Sequence, residues 1–397
     1  MAEGQDARGR EHVSRVATEL YTASYLILFS ILGTLARLGL QWLTFYPGAP
    51  VSFSELWANV GGTLVMGFLG EDRKLFAQEW GKETAAEVGR ELTDEEKALE
   101  GVAAKASHAK VKKTIPLYIG LATGFCGSFT SFSSFMRDTF LSLSNDLPSP
   151  INHPYPPGAP ISTSSTVARH GGYSFMAVVA VIATTIALCY AALRVGIHLA
   201  NYIDRFTPTL PFHFFRRFID PLFVLIAWGA WIGAIIMAVF PPDRPSGPAS
   251  KGSTWSHETW RGEAIFACVF SPPGALLRYY ASLKLNTIVP SFPLGTFAVN
   301  IFGTAVLGMG YDLQHVRIGS ALTGGGRVGC QVLQGVMDGF CGCLTTVSTW
   351  IAEINSLPRG KSWVYAACSV GVGLSTMVVI MGSVKWTVGF SAPACVT

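Results

Sequence analysis

The chain carries the same polar residues twice, in the same order, inside stretches that are otherwise apolar. Gly33, Arg37, Asn59, Gly62, Thr63 and Gly67 recur 241 positions later as Gly274, Arg278, Asn300, Gly303, Thr304 and Gly308. A third segment follows each copy, GFCGSFTSFSSF from Gly124 and GFCGCLTTVSTW from Gly339, now 215 positions apart. The first copy therefore holds 26 more residues between its second and third segments. A membrane protein built from two related halves usually places its site between them, near the bilayer midplane.

That the setting is a membrane follows from composition. Half of the 397 residues are hydrophobic and 14% are charged, with a mean hydropathy of +0.38. Soluble domains carry about 25% charged residues, so this is a polytopic membrane protein. A net charge of +4 gives no reason to invoke nucleic acid. The N-terminus is polar through Arg15 and lacks the charged-then-apolar start of a signal peptide. Cys126, Cys189, Cys268, Cys341, Cys343 and Cys368 fall in apolar stretches, and no His joins them in a zinc-like spacing. They read as buried structural thiols.

A helix needs about 20 mostly apolar residues to cross the hydrocarbon core. On that basis the sequence predicts nine spans: 22–45, 51–70, 114–143, 173–200, 219–240, 262–286, 292–312, 330–357 and 362–388. They parse as four, one and four. Four helices return the chain to its starting side, so the extra helix 219–240 inverts the second half. The fold class expected is all-α, with two inverted four-helix repeats joined by one inverting helix and a broken third helix in each repeat. The organisation is then a cytoplasmic tail 1–21, a first repeat 22–200 with a charged cytoplasmic insertion at 71–113, a linker 201–260 and a second repeat 261–397. With the N-terminus inside, basic residues concentrate in the inner loops, chiefly in 73–113. The Pro-rich loop 144–172 and the segment 241–258 read as irregular and extracellular.

Carboxylates are sparse: Glu55, Asp138, Asp220, Glu263, Asp312, Asp338 and Glu353 lie in or beside the spans, most of them near ends. Proton-coupled pumps carry such a relay at membrane depth. No P-loop, HExxH or GxSxG pattern occurs, which argues against an ATP-driven pump or a membrane hydrolase. What remains is uncharged hydrogen-bonding chemistry. Asn59 and Asn300 sit mid-span, where an amide either bonds a neighbouring helix or offers its NH₂ donors to an anion. Arg37 and Arg278 either draw anions into a vestibule or tie down loop carbonyls. The glycines of each GFCG cost helix stability, so the third spans are expected to break there, freeing carbonyls that can hold a cation. After each break comes a hydroxyl run, Thr130, Ser131, Ser133 and Ser134 against Thr345, Thr346, Ser348 and Thr349, a possible ladder of donors for a small anion. Phe132 and Phe135 share a helix face, and their ring edges can meet an anion weakly.

These residues resemble the fluoride channel (Fluc) family, whose third-helix pattern is close to GFCGxxTTFSTF. The two-half arrangement looks like the fused eukaryotic fluoride export proteins. The resemblance covers the transmembrane part and excludes the N-terminal tail and the 71–113 insertion. It implies passive, fluoride-selective export across the plasma membrane, driven by a negative-inside potential, with no catalytic residue. It also implies that Asn59 and Asn300 face the pores and that Phe132 and Phe135 form an aromatic box. Thr130, Ser131, Thr345, Thr346 and Ser348 then fall on or beside the polar positions of the path. The carbonyls of Gly127, Ser128, Gly342 and Cys343 match a structural Na⁺ site. Tyr365 and Ser369 match a fourth-helix polar track, with Tyr173 as the first-half counterpart of Tyr365. Where the first half has Phe132 and Phe135 the second has Val347 and Trp350, so one conduction path is expected to work and the other to be degenerate. Fluoride and lipid are the implied partners, and the fused halves imply a pseudo-dimeric monomer. The alternative is a proton-coupled secondary transporter of small ions or drugs.

Overall fold

The computed structural model describes residues 15–46, 49–77, 110–147, 169–240, 259–317 and 323–393. Most of the expected N-terminal tail, the body of the 71–113 insertion, the Pro-rich part of 144–172 and all of 241–258 lie outside the described residues. Among those described, all regular structure is helical. In chain order the helices are α1 (Arg15–Thr44), α2 (Glu55–Glu71), α3 (the contiguous turns Pro116–Ile119, Gly120–Cys126 and Gly127–Phe129), α4 (Phe132–Ser144) and α5 (Gly171–Tyr202). Then come α6 (Phe212–Val239) and α7 (Thr259–Leu285). They are followed by α8 (Leu294–His315), α9 (Gly326–Gly335, Val336–Cys341 and Gly342–Leu344) and α10 (Ser348–Ser356). The last is α11 (Arg359–Thr387).

Helices α1, α5, α6, α8 and α11 are long and apolar enough to cross a membrane. The other expected spans fall on helices that are shorter, richer in charge or interrupted. Exposed apolar side chains fit a lipid solvent: Leu225 on α6 is 74% exposed and Val379 on α11 70%. Large contiguous apolar surfaces of this kind are rare on soluble monomers. Helix α6 packs on α1 and α7. Trp228 Nε1 donates to Ser24 Oγ at 3.2 Å and Trp231 Nε1 to the Val269 carbonyl at 2.9 Å. Two turns into α6, Asp220 accepts from Tyr25 Oη at 2.8 Å and pairs with Arg216 at 3.2 Å. A helix that bonds the first helix of each half joins them as well as linking them in sequence.

The two halves are not packed alike. Helices α2 and α5 pack along one another with their backbones in close approach: a Cβ on Gly67 would strike the Leu193 carbonyl, and one on Gly196 the Leu64 carbonyl. The counterpart of Gly67, Gly308 on α8, meets only side chains of α11, with Ile380 3.2 Å from where a Cβ would sit. Small residues that let backbones meet are a usual device of membrane helix packing. Here they shut the first half's second–fourth helix seam. Of the six cysteines expected as buried thiols all are free, but Cys368 on α11 is exposed.

Beyond α2, Lys112 folds back onto the helix end, where carbonyls lack intrahelical donors. Its Nζ donates to the carbonyls of Leu69 at 2.7 Å, Gly70 at 3.4 Å and Asp72. Burial pushes its ammonium down to about 8, against the pull of Asp72 and Glu71. The folded value lies below the unfolded one of roughly 10.4. Between the two, the unfolded chain holds a proton that the folded chain has released, so stability rises with pH through that window and the gain is complete above it. The difference in Tm between the wild type and Lys112→Met is therefore expected to grow in the wild type's favour from about pH 8 to about pH 10. A difference that stays flat would show that this ammonium does not titrate with folding.

Candidate functional site

The third helix of each half is interrupted, but not at the glycines. Helix α3 ends at Phe129, Thr130 is extended (φ −109°, ψ 148°), and α4 starts at Phe132. Helix α9 ends at Leu344, Thr345 is extended (φ −96°, ψ 151°), and α10 starts at Ser348. The helices run through both GFCG runs, with wide π turns over Gly120–Cys126 and Val336–Cys341. The expectation that the glycines themselves break the helix is corrected. Their role is clearance: the Arg278 guanidinium lies where a Cβ on Gly127 would be, and the Arg37 guanidinium where one on Gly342 would be. Each arginine thus comes from the opposite half to its glycine.

Each interruption is held by an asparagine of its own half. Asn59 Oδ1 accepts from Ser131 N at 2.8 Å, and its Nδ2 reaches the Ser131 carbonyl at 3.5 Å. Asn300 Oδ1 accepts from Thr346 N at 2.8 Å, and its Nδ2 donates to the Thr346 carbonyl at 3.2 Å. The amide acts as a surrogate strand for a residue that has left the helix, satisfying backbone groups that would otherwise be buried alone. Each Nδ2 keeps one further proton.

The hydroxyl runs cap the restarting helices, and they do so across the halves. Thr130 Oγ1 accepts from the backbone N–H groups of Val347 and Ser348, each at 3.2 Å. Thr345 Oγ1 accepts from Ser133 N at 3.0 Å. Locally, Ser131 Oγ accepts from Ser134 N at 3.2 Å and Thr346 Oγ1 from Thr349 N at 3.4 Å. Ser348 Oγ donates to the Cys126 carbonyl at 3.2 Å, and Thr130 and Thr346 hydroxyls lie 3.2 Å apart. All five residues Thr130, Ser131, Thr345, Thr346 and Ser348 are fully buried. Four first-turn N–H groups of every helix need partners, and here each half supplies some of the other's.

Arg37 and Arg278 are also buried, at 0% and 2% exposure. Arg37 Nη2 donates to the Asp338 carbonyl; Arg278 Nε donates to the Cys343 carbonyl at 2.6 Å and its Nη2 lies 3.4 Å from Ser128 Oγ. Of the two expectations for these arginines, tying down carbonyls is the geometry present.

Aromatic and polar residues gather beside the crossing, where α4 of the first half packs against α8 and α11 of the second. Phe132 meets Phe135 edge-on at 5.8 Å and Trp350 at 5.3 Å. A Cβ on Gly373 would sit 3.1 Å from the Phe132 ring. The buried stripe of α11 reads Tyr365, Ser369, Gly373, Met377. Ser369 Oγ donates to the Tyr365 carbonyl at 2.7 Å. Tyr365 Oη donates to Glu353 at 2.7 Å, and Glu353 also accepts from Thr296 Oγ1 at 2.7 Å and Asn286 Nδ2 at 3.3 Å. Sequence reading missed Glu353 and Thr296 as part of this group. The available signal was spacing: Glu353 follows Trp350 by three, and Thr296 precedes Asn300 by four, one helix face in each case.

The first half does not repeat this group. Tyr173, expected opposite Tyr365, is 69% exposed while Tyr365 is fully buried, so that correspondence is corrected. The buried stripe of α5 is instead Val178, Val181, Thr185, Cys189 and Leu193. Position 138, which matches Glu353 in the repeat, is an aspartate bound by its neighbour Arg137 at 2.9 and 3.0 Å. Val347, in the place of Phe132, is fully buried in the same core cluster.

Comparison with known proteins agrees with this two-part reading. The family described as CrcB-like protein, Camphor Resistance (CrcB), matches residues 24–151 and again 265–383. The chain is 54% identical to fluoride export protein 1 of Neurospora crassa over 98% of its own length and 71% of that protein. It is 32% identical to fluoride export protein 1 of Candida albicans, over 91% of this chain and 79% of that one. The fluoride-specific ion channel FluC of Pseudomonas paraeruginosa is 36% identical over 120 residues, which is 29% of this chain and 88% of the channel. No solved structure matches the chain.

Proposed function

The chain belongs to the CrcB-like protein family, and from that membership we propose that it is a passive fluoride channel exporting cytoplasmic fluoride across the plasma membrane. The observation that carries this reading is the asymmetric pair of seams. One fourth helix presents Tyr365 and Ser369 to the interior next to Phe132, and the other presents valines, cysteine and leucine with a single hydroxyl, Thr185. Fluoride must exchange hydration for donors, and on the α8–α11 side the hydroxyls of Thr296, Tyr365 and Ser369 would turn to the ion from Glu353 and the Tyr365 carbonyl, beside the spare Nδ2 proton of Asn300. Phe132 and Phe135 narrow that route, and the capped hydroxyls Thr130, Ser131, Thr345, Thr346 and Ser348 frame it. The α2–α5 side, with Asn59, is the degenerate path. Charge movement is driven by the membrane potential, about 2.3 kcal/mol per charge per 100 mV. No residue is assigned a catalytic role.

The architecture we infer is nine spans in two inverted repeats, N-terminus inside, with the chain acting as a pseudo-dimeric monomer. The double family match and the mirrored Asn59–Ser131 and Asn300–Thr346 bonds support it. A structural sodium ion would sit where the interruptions cross. Helices α3 and α9 stop at Phe129 and Leu344, so the carbonyls of their last turns have no helical N–H to accept. Those of Gly127, Ser128 and Gly342 would hold the ion, with the Arg278 and Arg37 guanidiniums beside Gly127 and Gly342, while the Cys343 carbonyl is taken by Arg278. Bound there, sodium would supply one charge tying the halves. Tm is expected to be higher in sodium chloride than in choline chloride of equal ionic strength; equal values would remove the ion from this reading.

The test of function is efflux from liposomes holding the purified protein, read by a fluoride electrode with chloride alongside. Rapid fluoride loss only after a potassium ionophore relieves the charge is the expected result. A second reading, proton-coupled transport, is favoured by one observation, the buried Glu353 beside Tyr365. Efflux that requires a pH gradient rather than the ionophore would select it.

A further inference from the structure

Trp350 stands where the repeat would have Phe135, and by sequence it marks the degenerate half. Its position says otherwise. The indole belongs to α10 of the second half but packs edge-on to Phe132 of the first at 5.3 Å, 71° between planes. Phe132 in turn touches α11 at Gly373, one turn from Ser369. Three residues along α10, on the same face, lies Glu353 with Tyr365 and Thr296. Trp350 is therefore inside the α8–α11 route, between its polar mouth and Phe132.

The indole is 0% exposed, and its Nε1 has no hydrogen-bond partner. Even Trp228 and Trp231 of the α6 seam, which are less buried, have acceptors, as buried indoles normally do. An unpaired buried N–H is destabilising, and phenylalanine, which fits the same aromatic position, would relieve it. Fluoride is a compact, strong acceptor, and indole Nε1 is a donor that can never accept. We propose that the Nε1–H of Trp350 is a direct ligand of the permeating fluoride ion, a specificity-determining donor set against the Phe132 ring. Chloride, larger and a weaker acceptor, recovers less of the cost of leaving that N–H unpaired.

This inference rests on the fluoride reading, and its test separates the two. Efflux is measured for wild type and Trp350→Phe in the same liposomes, with Tm of each. Trp350→Phe keeps the ring and removes the N–H, so fluoride efflux is expected to fall roughly tenfold with Tm unchanged or raised. If the N–H is spent on the face of the Phe132 ring, efflux in Trp350→Phe stays at the wild-type rate, and the proposal is wrong. No fluoride efflux from folded wild type ends the functional reading and this one together. Should Trp350→Phe fold poorly, the wild type decides: its Trp350 indole ¹H–¹⁵N resonance, assigned by through-bond connectivity in the wild type itself, must move on adding sodium fluoride and not on adding sodium chloride. A resonance indifferent to fluoride overturns the assignment.

Discussion

Phe132→Ile is expected to reduce fluoride efflux by at least about tenfold, some 1.4 kcal/mol of barrier, while Val347→Ala leaves it within about twofold. The two positions are equivalent in the repeat and equally buried, so a purely structural role predicts similar losses. What distinguishes them is their neighbours. Phe132 lies against Trp350 and Gly373, on the seam that carries Tyr365 and Ser369. Val347 immediately precedes α10, which packs on α2 and α5 as well as on α11, and the α2–α5 seam is closed by Gly67 and Gly196. Isoleucine keeps the apolar volume but removes the ring edge, so the stability cost is small beside the effect on flux. Similar losses from both substitutions would mean that both paths conduct, or that neither does.

Asn59→Ala and Asn300→Ala should cost nearly equal stability and unequal function. Each removes an acceptor at 2.8 Å from the first N–H after a helix interruption. A buried N–H left unpaired costs about 1–3 kcal/mol, and both variants should lose Tm to that extent. Flux, corrected for folded protein, should fall only in Asn300→Ala, because α8 borders α4 and α11 whereas α2 is sealed against α5. Asn300→Asp sharpens the point: a carboxylate still accepts the N–H but offers no donor and repels an anion. Equal flux in the two alanine variants would reject the single-path reading even if the stability losses matched.

Much of this was legible in the residues because it is local. Apolar runs long enough to span, the doubled Gly–Arg–Asn pattern and the hydroxyl-rich tail after GFCG all depend on composition and spacing within one segment. The choice between roles was not legible. Arg37 and Arg278 could serve a vestibule or a carbonyl, and the side chain's partner lies 301 residues away for Arg37 and in another helix for Arg278. Likewise the letter pattern pairs Tyr173 with Tyr365, whereas the residues α5 buries include Val178, Val181, Thr185, Cys189 and Leu193. Fourth-helix register depends on how α5 slides along α2, and glycine contacts decide that only after packing.

From the chain alone came the class of protein, its duplication and the uncharged chemistry of its interior, since hydrophobic content and repeated spacing need no neighbours to be read. Packing decided the rest. The helices part at Thr130 and Thr345 rather than at glycine because a residue leaves a helix where its N–H and carbonyl find other partners, here Asn59, Asn300 and the opposite half's threonine. Trp350 joins Phe132 rather than a path of its own for the same reason: side chains some 200 residues apart meet only when two halves cross, and no local pattern records which face each will turn to the other.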